Sequence, residues 1–241
     1  WTLQFCPALR ATRLLDSENH QIGWILGYAI TPEGRLLKQV THFPLPAREK
    51  NLEDEIEKLV SSLAGRYVAF ILTEKSERIY VDPAGQLSVV YNTESETLGS
   101  SLFLVSAFEK PKGGLSELLN IPTADSYYPF GITPNQKVHR ILPNYYLDLT
   151  KFIQVRHWPK RDELLTRKTK DTRATVAEIG EKLRANIAAV LDQYPAYMSL
   201  TAGRDSRMLL AATRARRDET GFFTTRIPDR SAAVDCRAAK V

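Results

Sequence analysis

Thiol and imidazole groups are scarce in this chain, whose 241 residues hold two cysteines and four histidines. Cys6 and Cys236 lie near opposite ends without metal-ligand spacing, which argues against a metal site and for a reducing compartment. His20, His42, His139 and His157 form no cluster in sequence, so each is expected to be structural or exposed. No apolar run reaches the roughly 18 residues that a transmembrane helix needs, and nothing at the start has the pattern of a signal peptide. These absences predict a cytoplasmic protein with no membrane partner. Internal repeats and low-complexity tracts are also missing. The net charge of +5 is modest and collects in Arg156–Lys182 and Arg204–Arg217. Neither stretch carries the regular aromatic interleaving of a single-strand binding platform. Solvated faces, a linker and an anionic nucleotide site explain the charge better than a nucleic-acid partner does.

What remains is ordinary for a globular protein with a sizeable core, 43% hydrophobic and 25% charged. The length suits one large domain or two smaller ones. The first part is strand-rich. Trp24–Thr31, Arg66–Thr73, Arg78–Val81 and Leu87–Tyr91 carry β-branched and aromatic residues between turn signals such as Asp82-Pro83-Ala84-Gly85. Leu52–Leu63 predicts an amphipathic helix with Ile56, Leu59, Val60 and Leu63 on one side. A short helix is expected at Leu115–Leu119, and short strands at Val138–Ile141 and Tyr145–Leu149. Together these suggest a sheet-rich α+β domain.

Lys160–Arg173 is polar and basic and reads as a linker. Beyond it, Val176, Ile179, Leu183, Ile187 and Val190 mark one apolar helix face, with Thr175 and Glu178 at capping-box spacing. A buried strand through Ala196, Met198 and Leu200, a helix from Ser206, a strand at Gly221–Arg226 and a helix from Ser231 follow. This βαβα order predicts a parallel α/β sheet. Ligands of such sheets sit at the carboxyl ends of strands, where Thr201–Ser206 and Thr224-Thr225-Arg226 both fall. The chain starts at Trp1 rather than Met and stops at Lys240-Val241 inside a helical pattern without a stop signal, so an incomplete chain is expected.

The segment Ser199-Leu200-Thr201-Ala202-Gly203-Arg204-Asp205-Ser206-Arg207 carries the chemistry. A tight turn of small residues between strand and helix aims backbone N–H groups at one spot, which suits an anion. Asp205 stands where a carboxylate can hold a cation, and Ser206 where a hydroxyl can donate to phosphate. An ordinary strand–turn–helix capped by Asp205 or Ser206 is the alternative. No Gly-Lys-Ser/Thr follows, so this is not a Walker loop.

The loop resembles the pyrophosphate loop of N-type ATP pyrophosphatases, Ser-Gly-Gly-x-Asp-Ser, with Thr201 for the Ser and Ala202 for the first Gly. Gly203, Asp205 and Ser206 match outright. Further pieces, in consistent order, resemble the asparagine synthetase-like family. Gly65-Arg66-Tyr67-Val68 is similar to its "G-x-F-A" strand. Ile79-Tyr80-Val81-Asp82-Pro83-Ala84-Gly85 is similar to its "L-x-R-D-x-x-G" hairpin, with Val81 at the usual Arg. Pro129-Phe130-Gly131-Ile132-Thr133 and Val138–Pro143 resemble its "P-x-G-T" segment and the "L-P" strand after it, with Asn144 and Tyr145 where Pro-Gly is usual. His157-Trp158 resembles its "Y-W".

The resemblance implies a degenerate class II amidotransferase domain of the Ntn-hydrolase type over residues 1–159, a linker over 160–174, and the beginning of an ATP pyrophosphatase domain over 175–241. The implied enzyme is an ATP-dependent carbon–nitrogen ligase. A carboxylate is adenylated with release of pyrophosphate, and an amine then attacks the acyl-adenylate to give an amide. The implied cofactors are ATP and Mg²⁺. Leu200, Thr201, Gly203, Asp205, Ser206, Thr224 and Thr225 would line the nucleotide site, and Asp205 would hold the metal. Partners are then a small-molecule or peptide carboxylate and an amine, and the reading allows a homodimer.

The family's glutaminase half uses an N-terminal Cys whose own amine is the base. Here Trp1 is first, Cys6 sits in Phe5-Cys6-Pro7, and no "N-G-E" glutamine-binding segment is found. Cys6 is therefore expected to be a small buried residue, and the domain a scaffold without glutaminase activity, as in β-lactam synthetases and lasso-peptide cyclases. The alternatives are a glutamine-dependent synthetase whose N-terminal residues are missing, and a non-catalytic relative that binds nucleotide or a partner, suggested by Ala202 and Arg207.

Overall fold

The computed structural model describes residues 1–49, 51–106, 118, 129–160, 171–228 and 230–239. The chain divides into two compact units, one of residues 1–29 and 37–165, the other of residues 30–36 and 166–241. It is a mixed α/β protein. Among the described residues no helix is long and apolar enough to cross a membrane.

The first unit is built on a seven-stranded sheet. Its strands are β1 (Ala11–Leu15), β2 (Gln21–Ile30), β3 (Val40–His42), β4 (Ala64–Leu72), β5 (Glu77–Val81), β9 (Tyr145–Asp148) and β10 (Ile153–Arg156), in the order β10-β9-β5-β4-β2-β1-β3. β1 and β3 pair in parallel, whereas β1–β2, β4–β5, β5–β9 and β9–β10 are antiparallel. A second sheet has the order β7 (Thr97–Gly99), β6 (Val90–Asn92), β8 (Val138–Arg140).

Strand alternation sorts β4 onto two cores. Tyr67, Ala69 and Ile71 join Leu52, Ile56 and Val60 of helix α1 (Leu52–Ser62), while Val68, Phe70 and Leu72 face Val89, Tyr91 and Phe152. The central strand is thus buried on both sides, which explains its near-continuous apolar run. Two glycines let β2 approach β4. Gly27 (φ +101°) and Gly65 (φ +116°) hold left-handed backbone, and a Cβ there would lie 2.3 Å from the Arg66 carbonyl oxygen and 2.2 Å from that of Tyr28.

Several expectations need correction here. The strand expected at Leu87–Tyr91 begins only at Val90. The buried Asp82 carboxylate accepts the N–H groups of Ala84, Gln86 and Leu87, which keeps Leu87 in the turn. β1, β3, β7, β10 and helix α2 (Leu102–Val105) had no sequence signal strong enough to mark them. Cys6 is exposed rather than buried, because residues 1–10 form no strand or helix that could cover it. Of the helix expected at Leu115–Leu119, all but Leu118 lies outside the described residues.

The second unit holds α3 (Thr172–Leu191), β11 (Ala196–Ser199), α4 (Arg204–Ala212), β12 (Thr220–Phe223) and α5 (Arg230–Ala238). β11 and β12 pair in parallel, Ala196 opposite Thr220 and Ser199 opposite Phe223. The N-cap of α3 is Asp171, not Thr175. The Asp171 carboxylate accepts the N–H groups of Arg173 and Ala174, so the helix starts inside the stretch read as linker. Residues 161–170 of that stretch lie outside the described residues. The apolar face of α3 is not a buried one. Val176 and Ile179 are exposed, and Ala189 is the buried residue of the helix. Ala196 and Met198 are likewise only half-buried. With two strands described in this sheet, there is little apolar surface for these side chains to pack against.

Candidate functional site

The loop joining β11 to α4 leaves the carboxyl end of the strand at Leu200, whose N–H donates to the Phe223 carbonyl at 2.8 Å. Thr201 and Ser206 then tie the turn to the first turn of the helix. Ser206 Oγ donates to the Thr201 carbonyl at 2.9 Å and accepts the Thr201 N–H at 3.2 Å. The two hydroxyl oxygens are 2.9 Å apart, and Gly203 N–H donates to Thr201 Oγ1 at 3.1 Å. Short polar side chains close such rings because they reach their own backbone within a few residues.

The helix starts at Arg204, two residues before the expected Ser206, and its N-cap is Gly203 without a side-chain cap. Neither Asp205 nor Ser206 caps it. Asp205 lies in the first turn, exposed, and makes no hydrogen bond or ion pair among the described residues. A carboxylate there is favoured by the helix dipole and remains available to a cation. Arg207 Nε donates back to the Gly203 carbonyl at 3.2 Å, whereas Arg204 is exposed. Gly203 has φ −68°, and no residue of Thr201–Ser206 has positive φ. The loop thus contains no left-handed residue at Gly203 either, and Ala202 fits without strain.

Thr224 and Thr225 lie beyond β12, which ends at Phe223 rather than at Arg226. Thr224 Oγ1 donates to the Leu200 carbonyl at 2.9 Å, so its hydroxyl fastens the two carboxyl ends together. Thr225 is exposed beside them. Thr201, Gly203 and Ser206 are therefore joined by one hydrogen-bond ring, the Thr224–Leu200 bond lies next to it through the Leu200–Thr201 peptide, and Asp205 stands at the exposed edge.

The sequence reading missed Asp235. It lies on α5, and its Oδ1 accepts the Ala202 N–H at 2.7 Å. Nothing local marks it, since it stands 33 positions along the chain from Ala202.

No protein-family model and no curated protein matches this chain.

Two other places in the first unit concentrate polar groups. Ligand atoms of Asp16, Glu18 and His20 lie within 4.8 Å of one another. The Asp16 carboxylate, however, already accepts the N–H groups of Glu18, His20 and Ala47. Burial pushes its pKa up, and these donors more than offset that, so the carboxyl ends below its ordinary value. The group builds a turn.

The second place is a cleft of about 410 Å³ lined by Asp54, Glu57, Lys58, Ser61, His157, Trp158 and Lys160. His157 is buried, and among the described residues neither ring nitrogen has a hydrogen-bond partner. Its ring stands edge-on to Tyr80 at 5.2 Å, and burial lowers its pKa to about 4. It is a neutral core residue at physiological pH.

Proposed function

We propose that the chain is part of an ATP-dependent, AMP- and pyrophosphate-forming amide ligase of the asparagine synthetase-like type. In this reading residues 1–159 are an amidotransferase-like domain of the Ntn-hydrolase type without glutaminase activity, and residues 175–241 begin the ATP pyrophosphatase domain. A single arrangement carries the reading. At the carboxyl end of a parallel strand, a loop matching Ser-Gly-Gly-x-Asp-Ser at Gly203, Asp205 and Ser206 leads into a helix whose N-terminus has no side-chain cap and bears an exposed carboxylate that is unpaired among the described residues.

The residues fit the group that the reading requires. Uncapped N–H groups at the start of α4 are donors for phosphate oxygens. The network through Thr201 and Ser206 holds those donors in place. Asp205 would hold Mg²⁺, which when bound offsets the charge that develops on departing pyrophosphate. Leu200, Thr224 and Thr225 would form the wall beside the nucleotide. The carboxylate and the amine are the two substrates, and no nucleic acid takes part. Cys6 has no role in this reading, being an internal residue without a free amine to serve as its base.

ATP–pyrophosphate exchange in the presence of candidate carboxylates tests the proposal. Asp205→Asn is nearly isosteric and exposed, so it should keep the fold, read by circular dichroism, while exchange falls at least a hundredfold. Exchange undiminished in that variant would remove Asp205 from the metal site. No exchange by the unaltered chain with any carboxylate would favour the non-catalytic relative. The observation on that side is that the Ser206 hydroxyl already donates to the Thr201 carbonyl.

A further inference from the structure

The contact between Ala202 and Asp235 joins the loop to a helix that the loop motif does not include. The Ala202 N–H lies in the turn one residue before the N-cap of α4, beside the helix start. Its acceptor is a carboxylate oxygen at 2.7 Å, inside the range of a charge-assisted N–H···O bond. Asp235 is half-buried, and the Ala202 N–H is the partner found for its carboxylate among the described residues. A carboxylate carries the charge sign and the acceptor chemistry of a phosphate oxygen. It sits on a donor that a phosphate at this loop would use.

We propose that Asp235 is a built-in competitor for the loop's anion site. Its carboxylate holds the Ala202 N–H in the free protein and is displaced when a pyrophosphate group of the nucleotide binds. The inference rests on the reading of the loop as a phosphate site and adds a regulatory contact to it. Two consequences follow from the charges alone. An entering phosphate must break the bond to Ala202, and it must sit near a like charge until Asp235 withdraws. Apparent affinity is therefore reduced by the fraction of molecules in which the contact is closed. A contact closed in nine of ten molecules weakens binding about tenfold. The contact also gives the loop an internal ligand, which keeps the donors aligned while no nucleotide is present.

The experiment is titration of the whole chain with inorganic pyrophosphate, with and without Mg²⁺, read by calorimetry, for the unaltered protein, Asp235→Ala and Asp235→Asn. Amide hydrogen exchange at Ala202 provides a second readout. Asp235→Ala should bind pyrophosphate about tenfold more tightly and should lose protection of the Ala202 N–H. Asp235→Asn keeps an acceptor oxygen of the same shape without the charge, so it guards against a variant that fails to fold. It should gain affinity by a smaller factor and keep part of the protection. In the unaltered protein, exchange at Ala202 should change on adding pyrophosphate. If the unaltered chain binds pyrophosphate and both variants bind equally or more weakly, the competitor role is overturned and the phosphate site stands. If neither the unaltered chain nor the folded variants bind pyrophosphate, the phosphate site falls and the competitor role falls with it.

Discussion

The Tyr67 hydroxyl donates to the Val60 carbonyl at 2.7 Å, so a β4 side chain closes the C-terminal end of α1. Val60 lies in the last turn of the helix, where carbonyls have no intrahelical partner. Both residues are buried, so water has little access to replace the bond. Burial also raises the Tyr67 pKa far above the ordinary tyrosine range, which keeps the hydroxyl a donor. Tyr67→Phe should cost about 1–3 kcal/mol, the penalty of leaving a buried carbonyl unsatisfied. Chemical denaturation at pH 7 measures it. A loss near zero would mean that this carbonyl is hydrated in the variant.

His157 should give the protein an acid-sensitive window. Its folded pKa of about 4 lies below the unfolded value of about 6.5. Between these values the unfolded chain binds more protons, so stability falls as pH drops from about 6.5 toward about 4. Above that window the ring is neutral in both the folded and the unfolded chain, so the pH-dependent loss vanishes. The full loss should be about 3 kcal/mol. His157→Phe, compared by thermal unfolding at pH 7.0, 5.5 and 4.5, should remove this part of the slope. Asp16 acts lower, since its depressed pKa preserves stability above the unfolded value near 3.9 and loses it as pH falls further. An unchanged slope in the His157 variant would show that the ring is hydrated in solution.

Ala202→Gly tests the loop's backbone. Because the loop has no left-handed residue, the methyl of Ala202 costs nothing and the added freedom of Gly acts on the unfolded chain. Stability should drop by about 0.4–1 kcal/mol, read by denaturation, and pyrophosphate affinity should stay within about twofold. A large gain in affinity would show that the methyl obstructs the site.

Elements whose signals are local could be read directly from the residues. The 3.6-residue period of Ile56, Leu59, Val60 and Leu63 marked α1 within a residue of its ends. The apolar runs of β2, β4 and β5 and the turn at Asp82-Pro83-Ala84-Gly85 were also legible, although β2 begins at Gln21 and β4 at Ala64, ahead of the expected Trp24 and Arg66, because propensity and turn chemistry act over a few residues. The parallel pairing of β11 and β12, with a loop at the carboxyl end of β11, followed from element order.

Which surfaces those elements cover was set by long-range packing. The stripe Val176–Ile179 has a helical period whether or not anything packs on it, and here it is exposed. Thr175 and Asp171 are both chemically able to cap α3, and the path of the chain before the helix selects Asp171. β1 and β3 are strands because β2 and β1 offer them hydrogen-bond partners, not because of their own composition. The burial of His157 and the approach of Asp235 to Ala202 depend on segments far apart in the chain. Periodicity is a property of neighbouring residues. Contact across tens of residues is set by where the packed elements return the chain, and no local pattern encodes that return.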